Sequence, residues 1–298
     1  MNPQRIRPLP PLAEWRAEGE AYTHRGQSVF VVHSRGSGPR PPLLCIHGFP
    51  SSSWDYAGLW PALAEGYSAL VTADLLGFGF SAKPLAYDYS LMDQTDLLCG
   101  LLAQLGYGEV HVLAHDYGVS IAQELLARDL AGNAPRLRSV TLLNGGLFPE
   151  THRPTLGQKL LRSPLGPWFA QRMNPQRFAR SFRAVWGPAT PPSPAELQAY
   201  WELIEENQGR RVMPRLIGYI EERRRHRARW VGALENTSVP LRLINGPEDP
   251  VSGAHMAARY RELVPGADVV SLPGIGHYPQ VEAPAAVLDA LRQFVEQR

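Results

Sequence analysis

The sequence predicts an α/β protein in which a mostly parallel central sheet is flanked by helices and carries an inserted helical segment. Three observations lead to this fold class. Short apolar runs recur along the chain, amphipathic helical patterns separate several of them, and one long stretch lacks any strand pattern. Runs without polar alternation are typical of parallel strands that helices cover on both faces. A chain of 298 residues is long enough for one such sheet with an insertion.

The strands are predicted from the apolar runs, taken in chain order. The first is expected at residues 27–33, which contain the consecutive residues Val, Phe, Val and Val. Six further runs follow, at residues 43–46, 69–73, 109–114, 139–143, 241–244 and 269–272. Apolar side chains at helical spacing predict helices over residues 90–105, 118–130 and 284–295. The first ~25 residues are polar and proline-rich without a clear period, so no element is predicted there.

Residues 147–238 differ from the rest of the chain. This stretch is rich in Arg, Trp, Leu and Pro, and its pattern indicates several short helices. It interrupts the alternation of strands and helices once, between the apolar runs at residues 139–143 and 241–244. We therefore expect a core domain formed by residues 1–146 and 239–298, with residues 147–238 as a helical cap.

Composition excludes several classes of function. The chain has 30 Lys and Arg against 28 Asp and Glu, and this balance predicts no strong attraction to nucleic acid or to an anionic membrane. No apolar stretch approaches the ~20 residues that span a bilayer, and no signal-peptide core follows the N-terminus. A cytoplasmic location is the resulting expectation. The sequence leaves the oligomeric state open.

Neither a metal nor an organic cofactor is expected. Two cysteines, Cys45 and Cys99, are too few for a disulfide scaffold or a four-cysteine zinc site. No His and Cys spacing fits zinc, and no glycine-rich phosphate loop follows the first strand.

The pentapeptide Ala-His-Asp-Tyr-Gly at residues 114–118 lies between a predicted strand and a predicted helix. A strand-to-helix elbow exposes its middle residue above the sheet, and here that residue is Asp116. A carboxylate can attack carbon and form a covalent ester without first losing a proton. The alternative is that Asp116 only caps the helix that follows.

Two further loops are expected at the same edge of the sheet, because parallel strands end there together. The loop at residues 47–50, His-Gly-Phe-Pro, can direct the Phe49 N–H toward an oxyanion, with the Tyr117 N–H as second donor. His277 follows the last strand and suits a general base, and Asp249 can orient it. The order Asp116, Asp249, His277 is that of a nucleophile, an acid and a base.

These motifs resemble the α/β-hydrolase superfamily, in the branch of epoxide hydrolases and haloalkane dehalogenases, over residues 25–297. The matching residues are 47–50, 74–81, 115–118, Asp249 and His277. Residues 144–154 and 229–234 further resemble the mesoderm-specific transcript family of animal hydrolase-like proteins. The resemblance implies the α/β-hydrolase fold and an alkyl-enzyme mechanism, in which Asp116 attacks carbon and His277 then activates water.

The same resemblance implies a small apolar electrophile as substrate, together with water. Epoxide hydrolases protonate the leaving alkoxide with cap tyrosines. The spacing of Tyr219 before the predicted strand at residues 241–244 resembles that of the second of these tyrosines. Tyr200 is the only other tyrosine in the predicted cap. Substrate contacts are expected from His47, Pro50, Tyr200 and Trp168. Packing within the cap is the alternative role of Tyr219, Tyr200 and Trp168.

Epoxide hydrolysis to a diol is the function that these residues favour, and two alternatives stay open. A haloalkane dehalogenase would need halide donors, and Tyr117 and Phe49 supply neither an indole nor an amide side chain at the expected positions. A non-catalytic hydrolase-fold binding protein is disfavoured by the complete triad. The cationic run at residues 223–229 is interpreted as a solvated helix face with Glu221 and Glu222 as local partners.

Overall fold

The computed structural model describes residue 1 and residues 6–296, and an eight-stranded sheet forms its centre. The expected domain ranges 1–146 and 239–298 include residues 2–5 and 297–298, which lie outside the described residues. The strands are β1 (Glu20–His24), β2 (Gln27–Arg35), β3 (Leu43–Ile46), β4 (Ala69–Ala73), β5 (Glu109–Ala114), β6 (Arg136–Leu142), β7 (Leu241–Asn245) and β8 (Val269–Ser271).

The order across the sheet is β1-β2-β4-β3-β5-β6-β7-β8, and the six strands from β4 to β8 in that order pair in parallel. Strands β1 and β2 pair antiparallel at one side. The predicted fold class, a mostly parallel sheet flanked by helices, is confirmed. The expected strand at residues 139–143 begins three residues earlier than predicted, at Arg136. The side chains of Arg136 and Arg138 are exposed at that end, so the sequence there carries no buried pattern.

The prediction was wrong to leave the first 25 residues without structure. They contain helix α1 (Leu12–Ala17) and strand β1. Strand β1 lies at the sheet edge and most of its residues are not buried, so it lacks the apolar run that reveals an interior strand. Its turn into β2 is a two-residue hairpin in which Arg25 and Gly26 both have positive φ, of 47° and 76°.

The core helices are α2 (Trp60–Leu63), α3 (Leu91–Gln104), α4 (Tyr117–Leu130), α12 (Ala254–Leu263), α13 (Pro279–Glu282) and α14 (Pro284–Glu296). Three of them, α3, α4 and α14, correspond to the predicted helices. Each buries an apolar face, as in α4, where Ile121, Leu125 and Leu126 are covered. Helix α3 begins after Ser90, whose side chain accepts the Asp93 N–H and caps the helix.

Seven α-helices lie between β6 and β7, where the sequence indicated short helices. They are α5 (Leu156–Arg162), α6 (Gly166–Arg172), α7 (Pro175–Arg183), α8 (Pro194–Glu205), α9 (Met213–Leu216), α10 (Tyr219–Arg225) and α11 (Arg227–Asn236). We call residues 147–238 the inserted segment. Its division from the core as a separate cap domain stays a prediction. Across the described residues, no helix is both long and apolar enough to cross a membrane.

Candidate active site

Asp116 lies at a sharp turn between β5 and α4. Its backbone has φ 44° and ψ −101°, a conformation that residues other than glycine rarely adopt and that marks strained sites. The side chain makes no hydrogen bond that caps α4, so Asp116 is not acting as the N-cap. Gly118 permits this turn, because a Cβ there would lie 2.6 Å from the Ile46 carbonyl oxygen. The predicted elbow therefore presents a carboxylate above the sheet.

The loop after β3 places a backbone donor on this carboxylate. The Phe49 N–H donates to Asp116 Oδ2 at 3.0 Å. Close approach requires Gly48, since a Cβ there would lie 2.7 Å from His115 Nδ1 and 2.8 Å from Asp116 Cβ. Tyr117, the second expected donor, occupies the first position of α4, where helix geometry leaves the N–H without a partner in the helix.

His277 and Asp249 lie beside Asp116, as the strand ends predicted. His277 Nδ1 donates to Asp249 Oδ2 at 2.7 Å, while His277 Nε2 lies 4.0 Å from Asp116 Oδ2, an ion-pair distance. Asp249 is held by the N–H groups of Val251 and Ser252 and by the Ser252 hydroxyl. The orienting carboxylate is therefore fixed from several sides, and the imidazole is left with one nitrogen facing Asp116.

Asn144, at the end of β6, adds a further anchor that the sequence reasoning missed. Its side-chain amide donates to Asp249 Oδ2 at 3.1 Å and to the Gly246 carbonyl at 2.9 Å. Its amide oxygen accepts the Gly246 N–H at 2.7 Å. A polar residue directly after a buried strand was the available signal. Asn144 thus ties the loop after β7 to the neighbouring strand and sets the position of Asp249.

Burial and charge act in opposite directions on the three ionisable groups. Burial alone would lower the pKa of His277, but the carboxylates of Asp249 and Asp116 outweigh it and raise that pKa to about 10. Burial alone would raise the pKa of Asp116 and of Asp249. Nearby His277 instead keeps both carboxyls below their usual range, helped at Asp116 by Arg223. The resting site therefore favours two carboxylates with one imidazolium.

Arg223, on α10 of the inserted segment, is the largest departure from the sequence interpretation. The run at residues 223–229 was expected to be a solvated face, and Arg224 does pair with Glu221 at 3.3 Å. Arg223 instead turns inward and is only 2% exposed. Its guanidinium donates to the Asp116 carbonyl oxygen at 2.7 Å and to Ser120 Oγ at 2.6 Å, and lies 3.7 Å from Asp116 Oδ1. The physical reason is helical geometry, which points one residue of the run toward the core.

A cavity of about 300 Å³ opens above Asp116 and His277. Phe49, Pro50 and Tyr278 line it from the core, and Pro50 is thus where the sequence placed it. The inserted segment contributes mainly apolar side chains, among them Leu161, Phe169, Met173, Phe178, Phe182 and Met213. A cavity with apolar walls and a few convergent polar groups suits a small apolar substrate.

Tyr219 is buried beside the site but lies outside the cavity wall. Its ring packs against Tyr117 and Phe49, at centroid distances of 5.1 and 6.0 Å, and the Arg223 guanidinium lies 4.5 Å from its ring centroid. Its hydroxyl is buried without a hydrogen-bond partner among the described residues. Such an unpaired buried group is uncommon and needs an explanation.

Three other residues expected to contact substrate lie elsewhere. His47 is fully buried, and its Nε2 accepts the Leu75 N–H at 3.0 Å, so it holds the loop instead of lining the cavity. The Tyr200 hydroxyl donates to the buried Asp55 at 3.0 Å. Trp168 is 56% exposed on the outer face of α6. Each position follows from packing that the linear sequence does not display.

No group of three or more His, Cys, Asp or Glu side chains within the described part of the chain could hold a metal ion. The expectation that the reaction uses no metal or cofactor stays a prediction. Cys45 is buried and Cys99 is partly buried, and both are free thiols.

The sequence model of a family with the alpha/beta hydrolase fold matches residues 41–284. The chain belongs to the α/β-hydrolase family. It is 45% identical over 282 residues to LipZ of Mycobacterium tuberculosis, which is named as a hydrolase, covering 94% of this chain and 96% of LipZ. It is 40% identical over 295 residues to the mesoderm-specific transcript homolog protein of Bos taurus, covering 96% of this chain and 88% of that protein. The resemblance found in the sequence is confirmed.

Solved α/β-hydrolases share the fold at lower identity. A haloalkane dehalogenase variant from Bradyrhizobium elkanii superposes with a TM-score of 0.76 at 22% identity, covering 94% of this chain and 96% of that one. At this identity the likeness shows the fold alone. The choice between an epoxide and a halide substrate has to come from the residues of this α/β-hydrolase itself.

Proposed function

We propose that this α/β-hydrolase uses Asp116 as a nucleophile to form a covalent alkyl ester, and that its substrate is an epoxide hydrolysed to a diol. One observation carries the proposal. A carboxylate, not a hydroxyl, occupies the strained elbow, accepts the Phe49 N–H and lies within ion-pair distance of His277. A serine hydrolase would need a hydroxyl at this position.

In the first step Asp116 Oδ1 attacks an epoxide carbon from the cavity. The new C–O bond to Oδ1 forms as the ring C–O bond breaks, and its electron pair leaves with the ring oxygen. Oδ1, which lies 3.7 Å from the Arg223 guanidinium, is the oxygen left for this attack, since Oδ2 accepts the Phe49 N–H. The developing alkoxide then takes a proton from an acid. Tyr219 is our candidate, although it lies behind the cavity wall: its ring contacts Phe49 and Tyr117 beside Asp116, and its buried hydroxyl has no hydrogen-bond partner among the described residues.

In the second step His277 Nε2 takes a proton from water, and the hydroxide attacks Cγ of the Asp116 ester. The oxyanion formed at Oδ2 is stabilised by the Phe49 N–H, with the Tyr117 N–H as the second donor. The Cγ–Oδ1 bond then breaks. Oδ1 leaves as a hydroxyl of the diol with the remaining proton of the attacking hydroxide, and Asp116 becomes a carboxylate again with the oxygen of that hydroxide. Alkylation removes the charge of Asp116, one of the two carboxylates that raise the pKa of His277. Ester formation therefore lowers that pKa. The imidazolium gives up its proton, which replaces the one that the acid lost to the alkoxide, and His277 can then act as a base.

A haloalkane dehalogenase is the second candidate, and one observation favours it. The indole N–H of Trp186 is buried without a hydrogen-bond partner among the described residues, and its ring stacks on Tyr278 at 5.1 Å. Tyr278 lines the cavity, so a halide donor is near. The epoxide is preferred because a phenol can give a proton to an alkoxide, whereas halide release needs none.

Trapping the intermediate tests both candidates. We expect His277→Gln, incubated with a terminal epoxide, to gain the mass of one epoxide on the peptide that carries Asp116. Without the His277 imidazole, the ester can form on Asp116 but water is not activated to hydrolyse it, so the adduct accumulates. The matched control is the His277→Gln, Asp116→Ala double variant, which should gain nothing. An adduct from a bromoalkane with bromide release, and none from any epoxide, would assign the dehalogenase instead. No adduct from either class would contradict the aspartate nucleophile.

A further inference from the structure

Helices α5 and α6 and the turn between them expose large apolar side chains on the inserted segment. Leu156 is 73% exposed, Leu165 66%, Trp168 56% and Leu160 36%. Only two other large apolar side chains among the described residues are this exposed, Leu85 and Leu130, and they lie far apart in the sequence. Single exposed apolar residues are ordinary, but a group on two packed helices indicates an interaction site. We call these four residues the outer patch.

The stretch of chain that carries the outer patch is rich in cations. Residues 147–190 contain seven Lys and Arg but a single acidic residue, Glu150, although the whole chain has a formal charge of only +2. Six of these cations are exposed and form no ion pair with a described residue: Arg153, Lys159, Arg172, Arg177, Arg180 and Arg183. Arg172 lies 4.1 Å from the Trp168 ring centroid. The near-neutral net charge of the whole chain therefore includes a strongly cationic stretch at residues 147–190, which the argument from overall composition did not detect.

The outer patch also borders the cavity of the candidate active site. Leu156 and Leu160 belong both to the patch and to the cavity wall, which Arg177 lines as well. The same cavity reaches Asp116 and His277. A surface bound at the patch would therefore lie next to the entrance through which a substrate passes.

We propose that this face of the inserted segment docks on the surface of an anionic phospholipid bilayer. Leucine and tryptophan side chains enter the headgroup and acyl boundary, where tryptophan is favoured, while arginine and lysine pair with lipid phosphates. Binding of this kind needs apolar area and positive charge together, and the face supplies both. A second copy of the chain is a poorer partner, because it would bring two cationic surfaces together.

Vesicle flotation tests the proposal directly. The wild-type chain should float with vesicles of phosphatidylcholine that contain about 30 mol % phosphatidylglycerol, and bind pure phosphatidylcholine vesicles more weakly. We expect Leu165→Ser with Trp168→Ser to weaken binding at least about 10-fold. Arg180→Gln with Arg183→Gln should do the same, because each cation near an anionic surface contributes about fivefold. These arginines are exposed, so this second pair keeps the test valid if the apolar pair fails to fold.

The controls carry the same changes away from the patch. Leu85→Ser with Leu130→Ser, and Arg35→Gln with Arg261→Gln, remove exposed residues of the same types from other surfaces. Both controls should bind vesicles as the wild type does. Absence of wild-type binding to anionic vesicles overturns the proposal, and so does an equal loss in the controls. A dimer in sedimentation that the patch variants abolish, without vesicle binding, would assign the patch to a second copy.

Discussion

The two sides of the candidate active site differ in how fully most of their polar groups are paired, although His115 Nδ1 on the core side also lacks a partner among the described residues. On the core side, Asp249 accepts hydrogen bonds from His277, Val251, Ser252 and Asn144. On the side of the inserted segment, three buried groups lack a partner among the described residues: the Tyr219 hydroxyl, Arg223 Nη1 and Trp186 Nε1. An unpaired buried polar group costs about 1–3 kcal/mol. We infer that the core holds its polar side chains in place before substrate binds. The unpaired groups of the inserted segment gain hydrogen-bond partners only when substrate enters the site.

This comparison predicts its largest effect at the core. Asp116→Ala should lower kcat by about 10⁴-fold or more, because no other nucleophile lies in the elbow and triad members act as a unit. Steady-state diol formation measures the effect. Asp116→Asn preserves the shape of the site and should be as inactive at early times, with a slow recovery if the amide hydrolyses. Near-normal turnover of a folded Ala variant would contradict the proposed mechanism.

A smaller and more selective effect is expected at the inserted segment. Tyr219→Phe should reduce kcat/KM for a terminal epoxide by about 10²-fold and leave any reaction with a matched bromoalkane unchanged, because only an alkoxide needs a proton. Tyr200→Phe is the matched control, since its hydroxyl is already bound to Asp55. If the epoxide reaction is unaffected by Tyr219→Phe, another group must be the acid. Tyr278, which lines the cavity, would be the next residue to change.

The smallest effect concerns Arg223, which joins the two sides. Its cation favours the ionised form of Asp116, so Arg223→Met should raise the pKa of Asp116. Ester formation requires the carboxylate, and its acid limit should therefore move to higher pH. Single-turnover ester formation against pH, with the His277→Gln change present throughout, measures this shift.

Two matched variants separate charge from packing at this position. Arg223→Lys keeps the positive charge and should restore the original acid limit. Arg224→Met removes the exposed neighbouring cation and should leave the profile unchanged. A folded Arg223→Met variant with an unshifted acid limit would mean that Arg223 only packs the inserted segment against α4.

The sequence predicted the core side of the site more completely than the other side. Asp116, Asp249 and His277 each follow a buried apolar run, and parallel strands end at one edge, so their convergence could be predicted from order alone. Pro50, a substrate contact expected from the family resemblance, lines the cavity. Strand β1 escaped prediction because an edge strand with few buried residues leaves no apolar run.

By itself, then, the sequence determined the α/β fold, the elbow at Asp116 and the chain order of Asp116, Asp249 and His277, because each depends on local pattern and on the direction of neighbouring strands. Only the tertiary structure decided that Arg223 turns inward to Asp116, that the Tyr200 hydroxyl binds Asp55 and that Trp168 faces outward. These positions depend on how the short helices of the inserted segment pack against one another and against the core. No shared sheet edge aligns those helices, so the side of each that is buried is set by packing across the whole molecule.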